Sequence, residues 1–336
     1  MSDGKSSDNA AGGFRAGALG AFFARSERAQ RQRLAVVLLG IASVFLWILS
    51  LYFDWTDRVG PTVHDVPNLW FNCIPLGALA MTLFCVWRPR HRTAGAVALI
   101  GLTVGLFYIV VENSFGMFTY NADRAAAGFW LGLTAYIVLL VAAVNAGLLV
   151  NDECCRGCRP DGRPRSPWLV LGLGTLGIGL IVARFLPDYV IGVERTPISD
   201  SGEALSQSPT AEILHRGMVG RLDGAEFIPE ITGWVVFLLA APLAAWLLRR
   251  QLAAAFIGGF LVYFVAKIAA ALAVDYASDY SDDLDNGLQI TVDYGLGDGF
   301  LALLATTVLF VLIIGAISLT GSEHPGIADS STSADS

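Results

Sequence analysis

Residues 252–274 read LAAAFIGGFLVYFVAKIAAALAV, an apolar run broken by a single charge. It is long enough to cross about 30 Å of hydrocarbon as a helix. The charge is Lys267. At about 1.5 Å per residue the amine lies roughly 12 Å below the helix end near Asp275. Burying such a charge costs about 2.5 kcal/mol or more unless it is paired or snorkels. The chain otherwise uses Arg; its one other lysine is Lys5. Beyond the run come Asp275, Asp279, Asp282, Asp283, Asp285, Asp293 and Asp298, with no basic residue among them. Two readings fit. In one, Lys267 snorkels outward and the acidic stretch is a solvated cap. In the other, Lys267 pairs with a carboxylate from another helix and marks a polar site inside a bundle. Tyr263 precedes Lys267 by one helical turn and shares its helix face. Asp298 and Glu112 are the candidate carboxylates, Asp298 favoured because Gly297 and Gly299 flank it and permit a close helix approach.

Working outward, the same apolar pattern recurs. The 336 residues are 54% hydrophobic and 15% charged, against about a quarter charged in a soluble domain. Eight apolar segments stand at 34–53, 70–87, 93–112, 127–150, 167–187, 231–248, 252–274 and 299–319. The expected fold is therefore all-α: a polytopic membrane protein of about eight transmembrane helices. A net charge of −7, without a basic groove interleaved with aromatics, excludes a nucleic-acid partner. The first apolar run follows a long charged leader, which is not the pattern of a cleaved signal peptide.

Charge placement orients the segments. With the leader inside, the inner connections and termini carry 15 basic and 9 acidic residues, and the outer connections 5 and 20. Arg184 and Lys267 fall within segments. Arginine on one side is the positive-inside pattern, and it places both termini in the cytoplasm. The organisation read from this is a basic leader (1–33), a first four-helix unit (34–150) and a cytoplasmic Cys/Arg loop (151–166). A second four-helix unit (167–319) follows, with outer loops 188–230 and 275–298, then a disordered tail (320–336). The leader reads either as an interfacial helix, with Phe14, Leu19, Phe22 and Phe23 among its arginines, or as a disordered segment that sets topology.

The two units resemble each other. Val66-Pro67 and Ile228-Pro229 introduce corresponding segments, which end in Arg88 and Arg90 or in Arg249 and Arg250. Ala127-Gly128-Phe129 and Asp298-Gly299-Phe300 open the last segment of each. Four crossings return the chain to its starting side, so the repeat is parallel, a symmetry that transporters use.

Other constellations are weaker. Cys154, Cys155 and Cys158 include a Cys-x-x-Cys, but structural zinc takes four ligands and no His is near, so free or lipidated thiols are expected. Asp282, Asp283, Asp285 and Asp293 invite a calcium reading. With Gly287 at position 6 of an EF-hand loop, position 3 is Leu284, and only an irregular divalent-cation site remains. The histidines (His64, His91, His215 and His324) all lie outside the apolar segments, which leaves no serine nucleophile a base within the bundle. No catalytic residue and no cofactor is read. In the long outer loop, Glu194, Arg195 and Arg216 form a second candidate site, and the latter part of the loop reads as a surface helix.

At these residues the first six segments resemble the amino-terminal membrane region of actinobacterial lysyl-phosphatidylglycerol synthases. The shared features are the short Arg-only inner turn, the exit Phe185-Leu186-Pro187, then Glu194-Arg195, and Arg216 with Gly220 nearby. The resemblance covers 34–250, and the synthetase domains are absent. It implies lipid handling in a bacterial plasma membrane without lysine transfer. The expected function is handling or translocating a lipid or small solute. The rival is a structural or sensory membrane protein whose acidic outer loops bind a partner or divalent cation.

The topology is testable. Reporter fusions at Asp152 and Gly321 are expected to read cytoplasmic, and one at Ser206 external. An external reading at Gly321 would require an odd number of crossings.

Overall fold

The computed structural model describes residues 8–56, 66–120, 125–157, 167–186, 189–197, 210–216, 227–248, 250–274, 279–283 and 288–320. Each apolar segment forms a helix: α1 (Asp8–Tyr52), α2 (Val66–Trp87), α3 (Arg92–Tyr120), α4 (Ala127–Gly157), α5 (Pro167–Phe185), α6 (Phe227–Leu247), α7 (Arg250–Val274) and α8 (Asp298–Thr320). Over the described residues, Ala29–Tyr52, Leu69–Trp87, Ala127–Asn151, Gln251–Ala273 and Asp298–Ala316 are long and apolar enough to cross a membrane. The apolar helices Arg92–Phe107, Leu169–Ala183 and Leu238–Leu247 are shorter over those residues. Outward faces are apolar as well. On α1, Leu34, Leu38, Ile41, Phe45 and Ile48 recur at helical spacing and are all exposed. Stripes of this kind require a hydrocarbon solvent. The chain is a membrane protein.

The leader does not stand apart from the first segment, as the domain reading expected. α1 runs unbroken from Asp8 to Tyr52. Its amino-terminal half is rich in Ala, with Arg15, Arg25 and Arg28 among them, good helix formers that let the helix propagate out of the membrane despite four glycines. At 45 residues it is about 67 Å long, roughly twice the hydrocarbon thickness.

α1 packs most extensively on α4 and also on α2, while α3 packs on α2 and α4. This closed ring surrounds a core that includes Val36, Leu79, Leu99, Leu102, Leu139 and Leu149. Polar groups tie the ring in the absence of water. Ser43 Oγ donates to the Ala135 carbonyl (2.8 Å), Trp47 Nε1 to Asn72 Oδ1 (2.8 Å), and the Tyr136 hydroxyl to the Thr103 carbonyl (3.0 Å). A second ring follows the same scheme: α5 packs on α6 and α8, and α7 packs on α6 and α8. Its core includes Leu173, Leu180, Ile257, Phe260, Phe264 and Phe310.

The rings meet where α3 lies against α7, with α2 on α7 and α6 on α3 beside them. The contact is main chain against main chain. A Cβ at Gly101 would strike the Phe256 carbonyl oxygen, and one at Gly105 would stand 2.5 Å from that of Phe260. In return, a Cβ at Gly259 would strike the Ala98 carbonyl and approach Leu102 N at 2.8 Å. Glycine is the residue that permits helices to come this close.

The all-α expectation holds for the apolar part of the chain, but the segments read as outer loops 188–230 and 275–298 carry strands. β1 (Tyr189–Pro197), β2 (Thr210–Arg216), β3 (Asp279–Asp283) and β4 (Leu288–Leu296) form one sheet in the order β2-β1-β4-β3. All three pairings are antiparallel. Residues 211–216, at the start of the part read as a surface helix, belong instead to strand β2. The reason is periodicity: β4 reads LQITVDYGL, strict apolar–polar alternation with β-branched residues. Tyr189 pairs with Leu296, so β1 and β4 leave the ends of α5 and α8 side by side. Nine residues of strand then extend about 30 Å. Among the described residues, α8 is the one helix in more than marginal contact with the sheet, at β1. A smaller version closes the first unit: Thr56 and Ala125 form an isolated antiparallel bridge.

Two adjacent glycines test the helix contact. At Gly258 an added Cβ meets nothing within 4 Å, so Gly258→Ala is expected to leave the melting temperature in detergent unchanged or slightly raised. Gly259→Ala forces α7 off α3 and is expected to cost about 1–3 kcal/mol or more. Equal melting temperatures for the two variants would refute the contact.

Candidate intramembrane site

Helix α7 is the most enclosed of the five long apolar helices, touching α2, α3, α6 and α8. Its lipid-facing side is marked by the exposed Gly258, Val265 and Leu272. Lys267 lies on the opposite side and is half-buried. It continues the line Phe256, Phe260, Tyr263, the stripe whose backbone meets α3. Phe260 and Phe264 pack edge-to-face at 5.6 Å, and Tyr263 meets the Phe71 ring of α2 at 6.1 Å. Tyr263 is buried. Lysine and tyrosine thus share the inward face of the central helix, as their spacing predicts.

Asp298 is placed differently from expectation. It is exposed, in the first turn of α8. The Gly297 carbonyl beside it accepts from the N–H groups of Phe300 (3.1 Å) and Leu301 (3.3 Å). A carboxylate there complements the positive end of the helix dipole. The neighbouring Gly299 does admit a close approach, but from α5. Its Cβ would lie 2.5 Å from the Leu186 carbonyl oxygen and 2.9 Å from that of Ala183. The Gly299 argument for Asp298 as the partner of Lys267 therefore belongs to the α5–α8 contact. Gly128 of α4 makes a similar close approach: its Cβ would stand 2.6 Å from the Phe53 carbonyl oxygen, and its N–H donates to the Asp54 carbonyl at 2.8 Å.

Glu112 lies within α3, one helical turn past position 108. It stands eleven residues beyond Gly101, just as Lys267 stands eleven beyond Phe256. Gly101 meets Phe256 and Gly105 meets Phe260, so α3 and α7 run parallel at their crossing. The sequence reading did not use this register. Its signal was present as the Gly101-x-x-x-Gly105 spacing within an apolar helix.

The outer candidates lie along the sheet. Glu194 and Arg195 are consecutive in β1, where Glu194 pairs with Ala211 of β2 and Thr291 of β4. Arg216 pairs with Tyr189 at the helix-proximal end, while Arg195 pairs with Thr210 at the other end of the hairpin. Asp282 and Asp283 are the last two residues of β3, and Asp293 pairs with Gly192 of β1. Asp285 and Cys158 lie outside the described residues. Cys154 and Cys155 fall in the final turns of α4, and Arg184 next to the last residue of α5. Among the described residues, no three His, Cys, Asp or Glu are grouped to hold a metal ion.

Compared with protein-family models, with curated proteins and with solved structures, the chain matches none.

Proposed function

We propose that the chain is an eight-span plasma-membrane protein built from two parallel four-helix units, both termini inside, that handles or translocates a lipid with an anionic headgroup. Support for the duplication is the common ring of contacts in each unit, the reciprocal Gly101–Phe256 and Gly259–Ala98 approaches, and the matched roles of Gly128 and Gly299. The observation that carries the functional reading is the position of Lys267 on the inward stripe of the central helix, at the joint between units. Parallel repeats place substrate sites at such joints. An ammonium roughly 10 Å below the outer helix end is within reach of a headgroup phosphate. A small anionic solute would use the same contact. No residue is given a catalytic role, since the inward face supplies no nucleophile–base pair.

A second reading has one observation in its favour. The outer sheet stands off the helices with β2 and β3 as its edges, and a free edge can accept a strand from a partner. That would suit a structural or sensory protein binding a partner or a divalent cation through its outer segments.

Native mass spectrometry of purified protein exchanged with phosphatidylglycerol and phosphatidylcholine separates these readings. Wild type is expected to retain phosphatidylglycerol preferentially, and Lys267→Met to lose that preference by about fivefold or more. Calcium at millimolar concentration is expected to leave the melting temperature unchanged. An unaltered lipid preference in Lys267→Met, together with a calcium-dependent rise in melting temperature, would favour the sensory reading.

A further inference from the structure

We propose that the seam between α1 and α2, at the end of the bundle that carries Arg33 and Arg88, binds an anionic phospholipid. The two guanidinium groups take its phosphate, and the apolar helix faces beneath them take its acyl chains. The site does not depend on the lipid-handling reading above. Lys267 stands seventeen residues beyond Arg250, the arginine end of α7, which is about 25 Å away at 1.5 Å per residue.

The turn from α2 to α3 reads Arg88-Pro89-Arg90-His91-Arg92. Its main chain is fixed. The Arg88 N–H donates to the Phe84 carbonyl (3.1 Å), the His91 N–H to the Arg88 carbonyl (3.2 Å), and the Gly95 N–H to the His91 carbonyl (2.8 Å). Gly95 lets α3 fold straight back on α2, since a Cβ there would stand 2.7 Å from Val86 N. α1 comes alongside at Gly40, where a Cβ would strike the Leu83 side chain. Above that contact Arg33 lies over the Trp87 ring and Arg88 over the Phe84 ring, each at 4.9 Å. Positions 84 and 87 are neighbours on one helix face, and both rings are exposed. Two guanidinium groups, one from each helix, therefore stand side by side on a platform of two aromatic rings.

Charge says what such a pair accepts. Residues 31–33 and 84–92 contain no carboxylate, and Glu27 is engaged by Arg31 at 3.6 Å. Arg90 adds an exposed charge, and α3 begins at the turn with the positive end of its dipole. A cation–π contact holds the charge in place without consuming the N–H donors, which match the oxygens of a phosphate. A free phosphate would need only these charges. The seam offers more: Met81 on α2 and Leu34 and Leu38 on α1 are exposed apolar side chains, and they continue from the guanidinium groups into the hydrocarbon. Polar donors above an apolar face fit a lipid, with headgroup and chains bound together.

The test uses full-length protein in detergent, with phosphatidylglycerol and phosphatidylcholine as probes. Native mass spectrometry is expected to show preferential phosphatidylglycerol retention, falling about fivefold for each of Arg33→Gln and Arg88→Gln. Phosphatidylglycerol is expected to raise the melting temperature of wild type, by tying α1 to α2, and not that of the double variant. Arg31→Gln is the control, since position 31 lies about 200° around α1 from position 33; it is expected to change neither reading. Arg33→Lys with Arg88→Lys keeps the charge and loses the fork, and is expected to recover retention only in part. Unchanged retention in the double Gln variant would overturn the site. A fall in Arg31→Gln equal to that in Arg33→Gln would overturn it in favour of diffuse surface charge. Inorganic phosphate raising the melting temperature as much as phosphatidylglycerol would overturn a lipid as the occupant. All readings are repeated in Lys267→Met, where the same fall is expected; a fall that vanishes there would overturn a separate site, whereas a fall that persists leaves this site standing whatever becomes of Lys267.

Discussion

The structure depends on two helix backbones being allowed to touch. Between α3 and α7 there is no room for side chains at Gly101, Gly105 and Gly259. Lipid supplies no hydrophobic drive for one apolar helix to leave it for another, so association must come from close packing and internal polar contacts. Close packing is what the glycines provide. Through this contact the two helical rings become one bundle, and the enclosed helix α7 acquires an inward face on which a charge can stand. The surroundings of Lys267 follow from the joint.

The remaining polar contacts obey the same solvent. Ser43, Trp47 and Tyr136 each reach a neighbouring helix, and the hydroxyls of Thr82, Thr103 and Thr306 return to carbonyls of their own helices. Each disposes of a donor that would otherwise be stranded away from water. At the end where α1, α2 and α3 carry arginines, the charges turn toward aromatic rings. Arg33 lies over Trp87 and Arg88 over Phe84, each at 4.9 Å. The guanidinium groups keep their contact with water or headgroups while their stems cover apolar surface. Pro75 and Pro242 sit inside α2 and α6, which a membrane helix tolerates when its neighbours re-satisfy the backbone.

Outside the helices the governing period changes from 3.6 to 2. The sheet ties the α5–α6 connection to the α7–α8 connection through β1 and β4. The Thr56–Ala125 bridge does the same between the α1–α2 and α3–α4 connections. Pairing across the mouth of each ring fixes the outer ends of its first and last helices, where Gly128 and Gly299 let the chains approach. The charged connecting segments are thus strands paired in one sheet.

Hydropathy alone marked the eight helices, five of which are long and apolar enough over the described residues to cross a membrane. The boundaries read from composition differ from those of α2, α5, α6, α7 and α8 by a few residues. A lysine inside an apolar helix was also legible, with outward snorkelling and inward pairing both open to it. Three things needed tertiary structure. The continuity of α1 across 33 and 34 was hidden, because hydropathy marks where a helix enters the membrane and not where it begins. The sheet was hidden by its charges: the alternation of residues 288–296 was present, but Asp-rich composition suggested a loop. The neighbour of Lys267 was undetermined because charge and glycine content nominate residues, whereas register selects among them. Gly299 looked like the gap for α7 and is the gap for α5. The α3–α7 crossing is made instead by Gly101, Gly105 and Gly259, each against a main-chain carbonyl of the other helix.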